Sequence, residues 1–298
     1  MIPDGVLMVR PRHFGFNPET AESNAFQQHG HLEQASYLAR AEFDCMVEAL
    51  SLAGVQVLVA SDPDEPCTDA VFPNNWLACM PDRTLIVFPM MAPSRRKEVN
   101  EATIELLRQH INSTRTIDLQ SHAEKGEFLE GTGSIVFDHD RRIAYACESP
   151  RTHLGLFTSL CKEMNYTGVS FRATDAQGKE IYHTNVVMSV GSRRVLLCED
   201  ALDDILERSM LKERIKSSGK ELMSLTMSQM QSFAGNAFEV KSRDGKCWIL
   251  SETAWQSLTP RQQEALQSDG GVCVVSIPTI EQLGGGSARC MVAGFFTV

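Results

Sequence analysis

Four times along the chain a small polar lead-in precedes an apolar run, a turn-forming tip and a second apolar run. Asn74-Asn75 leads into Trp76-Leu77-Ala78-Cys79-Met80, the turn Pro81-Asp82-Arg83, and Thr84-Leu85-Ile86-Val87-Phe88. Gly133-Ser134 leads into Ile135-Val136-Phe137, a turn over residues 138–142, and Ile143-Ala144-Tyr145-Ala146-Cys147. Thr184-Asn185 leads into Val186-Val187-Met188-Ser189-Val190, then Gly191-Ser192-Arg193, then Val195-Leu196-Leu197-Cys198. Gly235-Asn236 leads into Ala237-Phe238-Glu239-Val240, a tip at Ser242-Arg243-Asp244-Gly245, then Cys247-Trp248-Ile249-Leu250. Two short apolar runs joined by Gly, Asp, Ser or Pro predict a β-hairpin.

Helix-start signals follow each hairpin. Pro93-Ser94 precedes a helix over residues 95–111, and Ser149-Pro150 precedes one ending near Asn165. Asp200 opens an amphipathic stretch to Gly219, and Ser251-Glu252 opens a short helix. Runs at residues 168–171 and 272–277 predict strands that return the chain to the next hairpin. The repeat is about fifty to sixty residues long, at the upper edge of repeat architectures. A fifth copy starts at Cys290 and holds one strand before the sequence stops. Its expected partner is Val6-Leu7-Met8-Val9-Arg10, which would close a ring of five ββαβ units and hide the sheet edges. No linker or shift in composition divides residues 1–298, so a single α/β domain is expected.

If the lead-ins share one axis, the residues at or beside them converge: Asn75, Glu130, His183, Asn236 and Cys290. Cys290 follows Gly284-Gly285-Gly286-Ser287-Ala288-Arg289. Glycine permits close backbone approach to a ligand, and a nucleophile must be rigidly held yet reachable. A free cysteine is usually an inert core residue, and a lone histidine before a strand is usually structural. A thiol, an imidazole and a carboxylate at corresponding places in separate repeats instead point to nucleophilic catalysis.

Composition narrows the class. A net charge of −10 argues against nucleic acid or an anionic membrane as partner. No apolar run approaches the roughly 20 residues needed to span a bilayer, and Met1-Ile2-Pro3-Asp4-Gly5 lacks signal-peptide design. Nine scattered cysteines without a CxxC pair fit free thiols in a reducing cytoplasm. His29-Gly30-His31 is the nearest approach to metal-ligand spacing.

The motifs Phe72-Pro73-Asn74-Asn75-Trp76, Leu129-Glu130-Gly131-Thr132-Gly133-Ser134, Tyr182-His183-Thr184-Asn185 and residues 284–290 resemble the amidinotransferase, or pentein, superfamily. That group includes arginine deiminases, dimethylarginine dimethylaminohydrolases and glycine amidinotransferases. The citrulline-utilisation hydrolase branch looks most similar, with the likeness running from Met8-Val9-Arg10-Pro11 to Cys290. The resemblance implies a five-bladed α/β-propeller in which Cys290 attacks the central carbon of a guanidino or ureido group. It implies that His183 donates and accepts protons and that Glu130 holds substrate nitrogens. Arg95 and Arg151 resemble arginines that grip a substrate α-carboxylate, and Asp69 matches a substrate-facing acid. No metal or organic cofactor is implied.

Asn75 and Asn185 stand where arginine-handling relatives carry acids. Asparagine offers a donor and an acceptor, so both favour a neutral ureido group over a guanidinium, which has only donors. The expected partner is therefore a small molecule: citrulline first, arginine or a methylated arginine next. Homodimerisation is left open. Transfer of the group to an amine and a non-catalytic binding protein on the same fold are the competing readings.

Overall fold

The computed structural model describes residues 1–21, 24–28, 34–63 and 65–298. His29-Gly30-His31 lies outside the described residues. The strands form five three-stranded sheets. They are Leu77–Cys79, Leu85–Val87 and Thr116–Asp118; Ile135–Asp138, Ile143–Cys147 and Thr167–Phe171; Met188–Val190, Arg194–Leu197 and Glu221–Ser224; and Phe238–Ser242, Gly245–Ser251 and Gly271–Val275. The fifth joins Ala293–Phe295 to Gly5–Arg10 and Gln56–Ser61.

Each sheet repeats one topology. Its first strand pairs antiparallel with the second, and the second pairs parallel with the third. A parallel return needs a crossover, and helices supply it: Glu101–Ile111, Leu154–Glu163, Ile205–Ser217, Glu252–Ser257 with Pro260–Asp269, and Ala35–Leu52. The middle strand is the most apolar because both its faces are covered; every residue of Ile143–Cys147 is buried. Neighbouring sheets touch through their first strands, with Ala293–Phe295 against Leu77–Cys79 and Ile135–Asp138 against Met188–Val190. The chain ends meet in register, Gly5 opposite Phe295 and Leu7 opposite Ala293.

Several expectations need correction. The lead-ins are single helical turns: Pro73–Asn75, Gly131–Ser134 and Thr184–Val187. Val186 and Val187 therefore lie in a turn although β-branched. The Thr184 hydroxyl donates to Ser134 O and accepts the Cys147 N–H, which holds that turn against its neighbouring sheet. The helix expected over residues 95–111 breaks in two, Pro93–Arg96 and Glu101–Ile111, because Asn100 caps the second by accepting from the Ala102 N–H. The helix expected from Asp200 starts at Ile205, where Asp204 accepts two backbone N–H groups. Ala35–Leu52 and Gln56–Ser61 were not anticipated, although Ala35, Ala39, Phe43, Met46 and Leu50 are buried at helical spacing. No helix among the described residues is long and apolar enough to cross a membrane.

Candidate active site

The helical turns and the end of helix Pro278–Gly284 bring polar residues from distant parts of the chain to one cleft of about 290 Å3, bordered by Asp69, Asn75, Arg95, Arg151, Tyr182, His183 and Cys290. Gly285 adopts φ 62, and a side chain there would strike Asn24 and Gln27. Gly285 thus lets Asn24 and Gln27 close against the loop before Cys290, with the Asn24 amide donating to Gly284 O and Gly285 O.

Glu130 sits behind His183. Its Oε2 meets His183 Nε2 at 2.8 Å and accepts from Arg151 Nη1 at 3.4 Å, while Oε1 accepts the Met91 N–H. Burial would raise this carboxyl, but Arg151, His183 and Arg95 outweigh it and hold it below the usual range. An ionised Glu130 fixes the proton on Nε2 and leaves Nδ1 as the basic nitrogen. Burial, with Arg151 and Arg95 nearby, pulls His183 down to about 4 despite Glu130, so the ring is neutral at pH 7. Gly133 makes room for it: a Cβ there would lie 2.7 Å from His183 Nδ1 and 2.5 Å from Asn75 Nδ2.

Arg95 has different partners from the substrate carboxylate expected of it. Its Nε and Nη2 donate to Glu98 at 2.8 and 2.9 Å, and its Nη1 donates to Asn75 Oδ1 at 2.8 Å. Because a guanidinium only donates, this bond settles the Asn75 amide orientation. The Asn75 amino group is then buried with no hydrogen-bond partner among the described residues. Asp69 accepts from Asn17 through Oδ2, while its Oδ1 is buried and has no hydrogen-bond partner among the described residues. Burial raises the Asp69 carboxyl, opposed by Arg95. Arg151 lies over the Tyr182 ring and donates to Thr20 O and to Glu130.

Asn185 and Asn236 are directed at the sulfur. Asn236 Nδ2 lies 3.3 Å and Asn185 Nδ2 3.6 Å from Cys290 Sγ. Asn236 is oriented by the backbone: Nδ2 donates to Asn185 O at 3.0 Å, and Oδ1 accepts the Arg289 N–H at 3.0 Å. Among the described residues no group of three or more His, Cys, Asp and Glu side chains is arranged to hold a metal ion. Glu98 was overlooked although Arg95 and Glu98 stand at the i,i+3 spacing of helical ion pairs. Nothing local announced Asn17, Thr20 or Asn24.

The sequence model of the family described as N,N dimethylarginine dimethylhydrolase, eukaryotic, matches residues 10–297. The chain belongs to this family. It is thereby an enzyme of the amidinotransferase, or pentein, superfamily and a hydrolase acting on amidines, which removes the non-catalytic reading. No curated protein matches the chain. Among solved structures, the N-terminal domain of ArgZ, an arginine dihydrolase from Cyanobacteria, is similar in a Cys-to-Ser mutant bound to substrate. It has a TM-score of 0.76 and 18% identity, over 98% of this chain and 98% of that one. AgrE in a Cys-to-Ala mutant with L-arginine has a TM-score of 0.76 and 17% identity, over 97% of this chain and 40% of that longer one. DDAH from Pseudomonas aeruginosa, a Cys-to-Ser mutant complexed with citrulline, has a TM-score of 0.67 and 14% identity, over 99% and 100%. At such identities the likeness shows a common fold and nothing finer.

Proposed function

We propose that this hydrolase cleaves the C–N bond of a ureido amino acid, citrulline, to give ornithine, with Cys290 as the covalent nucleophile. The observation that carries the substrate is the pair of unpartnered atoms in the cleft, the Asn75 Nδ2 donor and the Asp69 Oδ1 acceptor. A ureido group matches both, because its carbonyl accepts from Asn75 and its N–H groups donate to Asp69. A guanidinium would leave the Asn75 donor facing donors, a mismatch of about 1–3 kcal/mol. Asn185 turns its Nδ2 to the sulfur, while its Oδ1 is buried with no hydrogen-bond partner among the described residues.

In this reading the Cys290 thiol passes its proton to His183 Nδ1 as the sulfur attacks the ureido carbon, and Nδ1 hands that proton to the departing nitrogen. Water then attacks the carbon of the covalent intermediate, the C–S bond breaks, and a water proton passes through Nδ1 to the departing sulfur. The carbamate released breaks down to carbon dioxide and ammonia. Glu130 acts through His183 by fixing its tautomer and does not touch substrate. Residues 1–298 form one domain, a five-bladed α/β-propeller; the pairing of the chain ends and the contacts between first strands support this.

A guanidino substrate is the second reading. Asp69, Glu98 and Glu130 outnumber Arg95 and Arg151 around the cleft, which favours a cation. Incubating the enzyme separately with citrulline, arginine and dimethylarginine, and assaying ornithine, citrulline, ammonia and dimethylamine, decides between them. Ornithine from citrulline is expected. Citrulline accumulating from arginine or dimethylarginine, with no ornithine from citrulline, overturns the reading.

A further inference from the structure

A second cavity shares no lining residue with the cleft, and its charged groups take no part in the reaction above. The first strands of all five sheets border it, together with Asn185 and Arg289. It holds about 60 Å3, about four to six times the roughly 10–15 Å3 that one water needs. Val136, Phe137 and Phe296 supply apolar surface, and the exposed Met1 forms one wall.

Three acceptors on this cavity are unused. Glu239 accepts the Ser192 N–H through Oε2, but its Oε1 is buried with no hydrogen-bond partner among the described residues. The same holds for Ser189 Oγ and Asn185 Oδ1. All three side chains are 5% exposed or less. Ser189 and Glu239 stand on the first strands Met188–Val190 and Phe238–Ser242, which touch each other. Cations near this end of the molecule are engaged elsewhere. The Met1 amino group pairs with Asp140, Lys220 donates to Gly191 O and Ser192 O, and Lys246 donates to Ser192 Oγ.

Arg289 is the opposite pole. Its guanidinium lies 4.3 Å from the Phe238 ring centre and donates through Nη1 to Val292 O. It forms no ion pair with a carboxylate among the described residues, so its remaining N–H groups are available to grip a carboxylate. Glu239 and Arg289 are therefore buried opposite charges on one cavity that do not pair with each other. A simple anion there would face Glu239, and a simple cation would face Arg289. An ammonium has three donors and no acceptor, which matches the three unused acceptors.

We infer that this cavity is a second binding site, for a small amino-acid zwitterion. Its ammonium sits among Glu239, Ser189 and Asn185, its carboxylate meets Arg289, and a short aliphatic side chain lies against Phe137 and Phe296. No bond is made or broken there. Asn185 links the site to the sulfur: an ammonium held at Oδ1 fixes that amide with Nδ2 towards Cys290. The site is independent of the substrate proposed above.

The test is isothermal titration calorimetry of the full chain with glycine, L-alanine, L-serine and β-alanine, and with acetate and methylammonium, which carry one charge each. At least one amino acid is expected to bind saturably at millimolar concentration, and neither single-charge compound. Glu239→Gln and Arg289→Met should each weaken that binding at least about tenfold. Asp69→Asn, altered in the cleft, should bind as the wild type does. Should either of the first two variants not fold, Ser189→Ala, expected to bind about tenfold more weakly, replaces it. No saturable heat with any of the four amino acids means a cavity filled by water alone and overturns the inference. So do binding that the cavity variants leave unchanged, binding lost in Asp69→Asn, and equal binding of acetate or methylammonium. Citrulline turnover is read separately: an enzyme that binds the amino acid but makes no ornithine defeats the proposed reaction and leaves this site standing.

Discussion

Three buried arginines flank the proposed nucleophile, and the two sides of Cys290 treat them in opposite ways. In the cleft, burial disfavours the Arg95 charge, yet Glu98, Asp69 and Glu130 outweigh it and hold the guanidinium above its ordinary value. Behind the sulfur, burial dominates at Arg289 and pulls it down. The aromatic contact with Phe238 is worth about 0.5–2 kcal/mol, whereas leaving a buried charge without its partner costs about 3–5 kcal/mol. Contact with a ring therefore cannot replace an anion. The cleft is an electrostatic network that orients Asn75 and His183 and leaves Asn75 Nδ2 and Asp69 Oδ1 without partners among the described residues. Beyond it, Arg289 is a buried cation with no carboxylate partner among the described residues.

The sharpest way to break this comparison is to remove its centre. Cys290→Ser should lower kcat by at least about a thousandfold with unchanged circular dichroism; substantial residual turnover would show that the chemistry lies elsewhere. Next come the two arginines themselves. Arg95→Met leaves Glu98 and Asp69 buried without their cation and should cost about 3–5 kcal/mol in denaturant unfolding. Arg289→Met removes a cation with no carboxylate partner among the described residues and should leave stability unchanged or improved. Equal losses would mean that the two sides are not different.

A smaller effect is expected at Gly133. Gly133→Ala puts a methyl group against Asn75 and His183, and displacement on this scale should reduce kcat/KM about a hundredfold. Wild-type activity would mean that neither side chain needs its observed position.

The mildest test is titration of His183 by NMR, expected near 4. Since the folded value lies below the unfolded one of about 6.5, its contribution to stability is present above pH 6.5. It is lost as the pH falls from there towards 4. Glu98, raised to about 7 by burial, works the other way, contributing below about 4.5 and losing that as the pH rises through 7. A His183 value near 6.5 would contradict the neutral imidazole on which the cleft network depends.

The hairpins were readable because their signals are local. Arg83 and Arg142 take left-handed φ values at tips already marked by polar, turn-forming residues, and the strands on either side are short apolar runs. Helix limits were less readable. At residues 97–100 a cap and an inward-facing Arg95–Glu98 pair interrupt what composition alone presents as one helix. The site divides in the same manner. Cys290, His183, Glu130 and Asn75 stood out as polar residues at equivalent points of a repeat. Asn185 shared that position but is turned towards the sulfur, and Arg95 shared the expected chemistry but is bonded to Glu98.

The amino-acid sequence by itself determined the repeat, its hairpins and the polar residue at each lead-in, because backbone preferences and side-chain alternation act over a few neighbouring positions. Only the tertiary structure decided which buried charges have partners. Asp69 reaches Arg95 and Glu130 reaches His183 from distant parts of the chain, while Arg289 finds no carboxylate among the described residues. The strength of a charge pair depends on distance and burial, which are set by how the sheets pack and not by spacing along the chain.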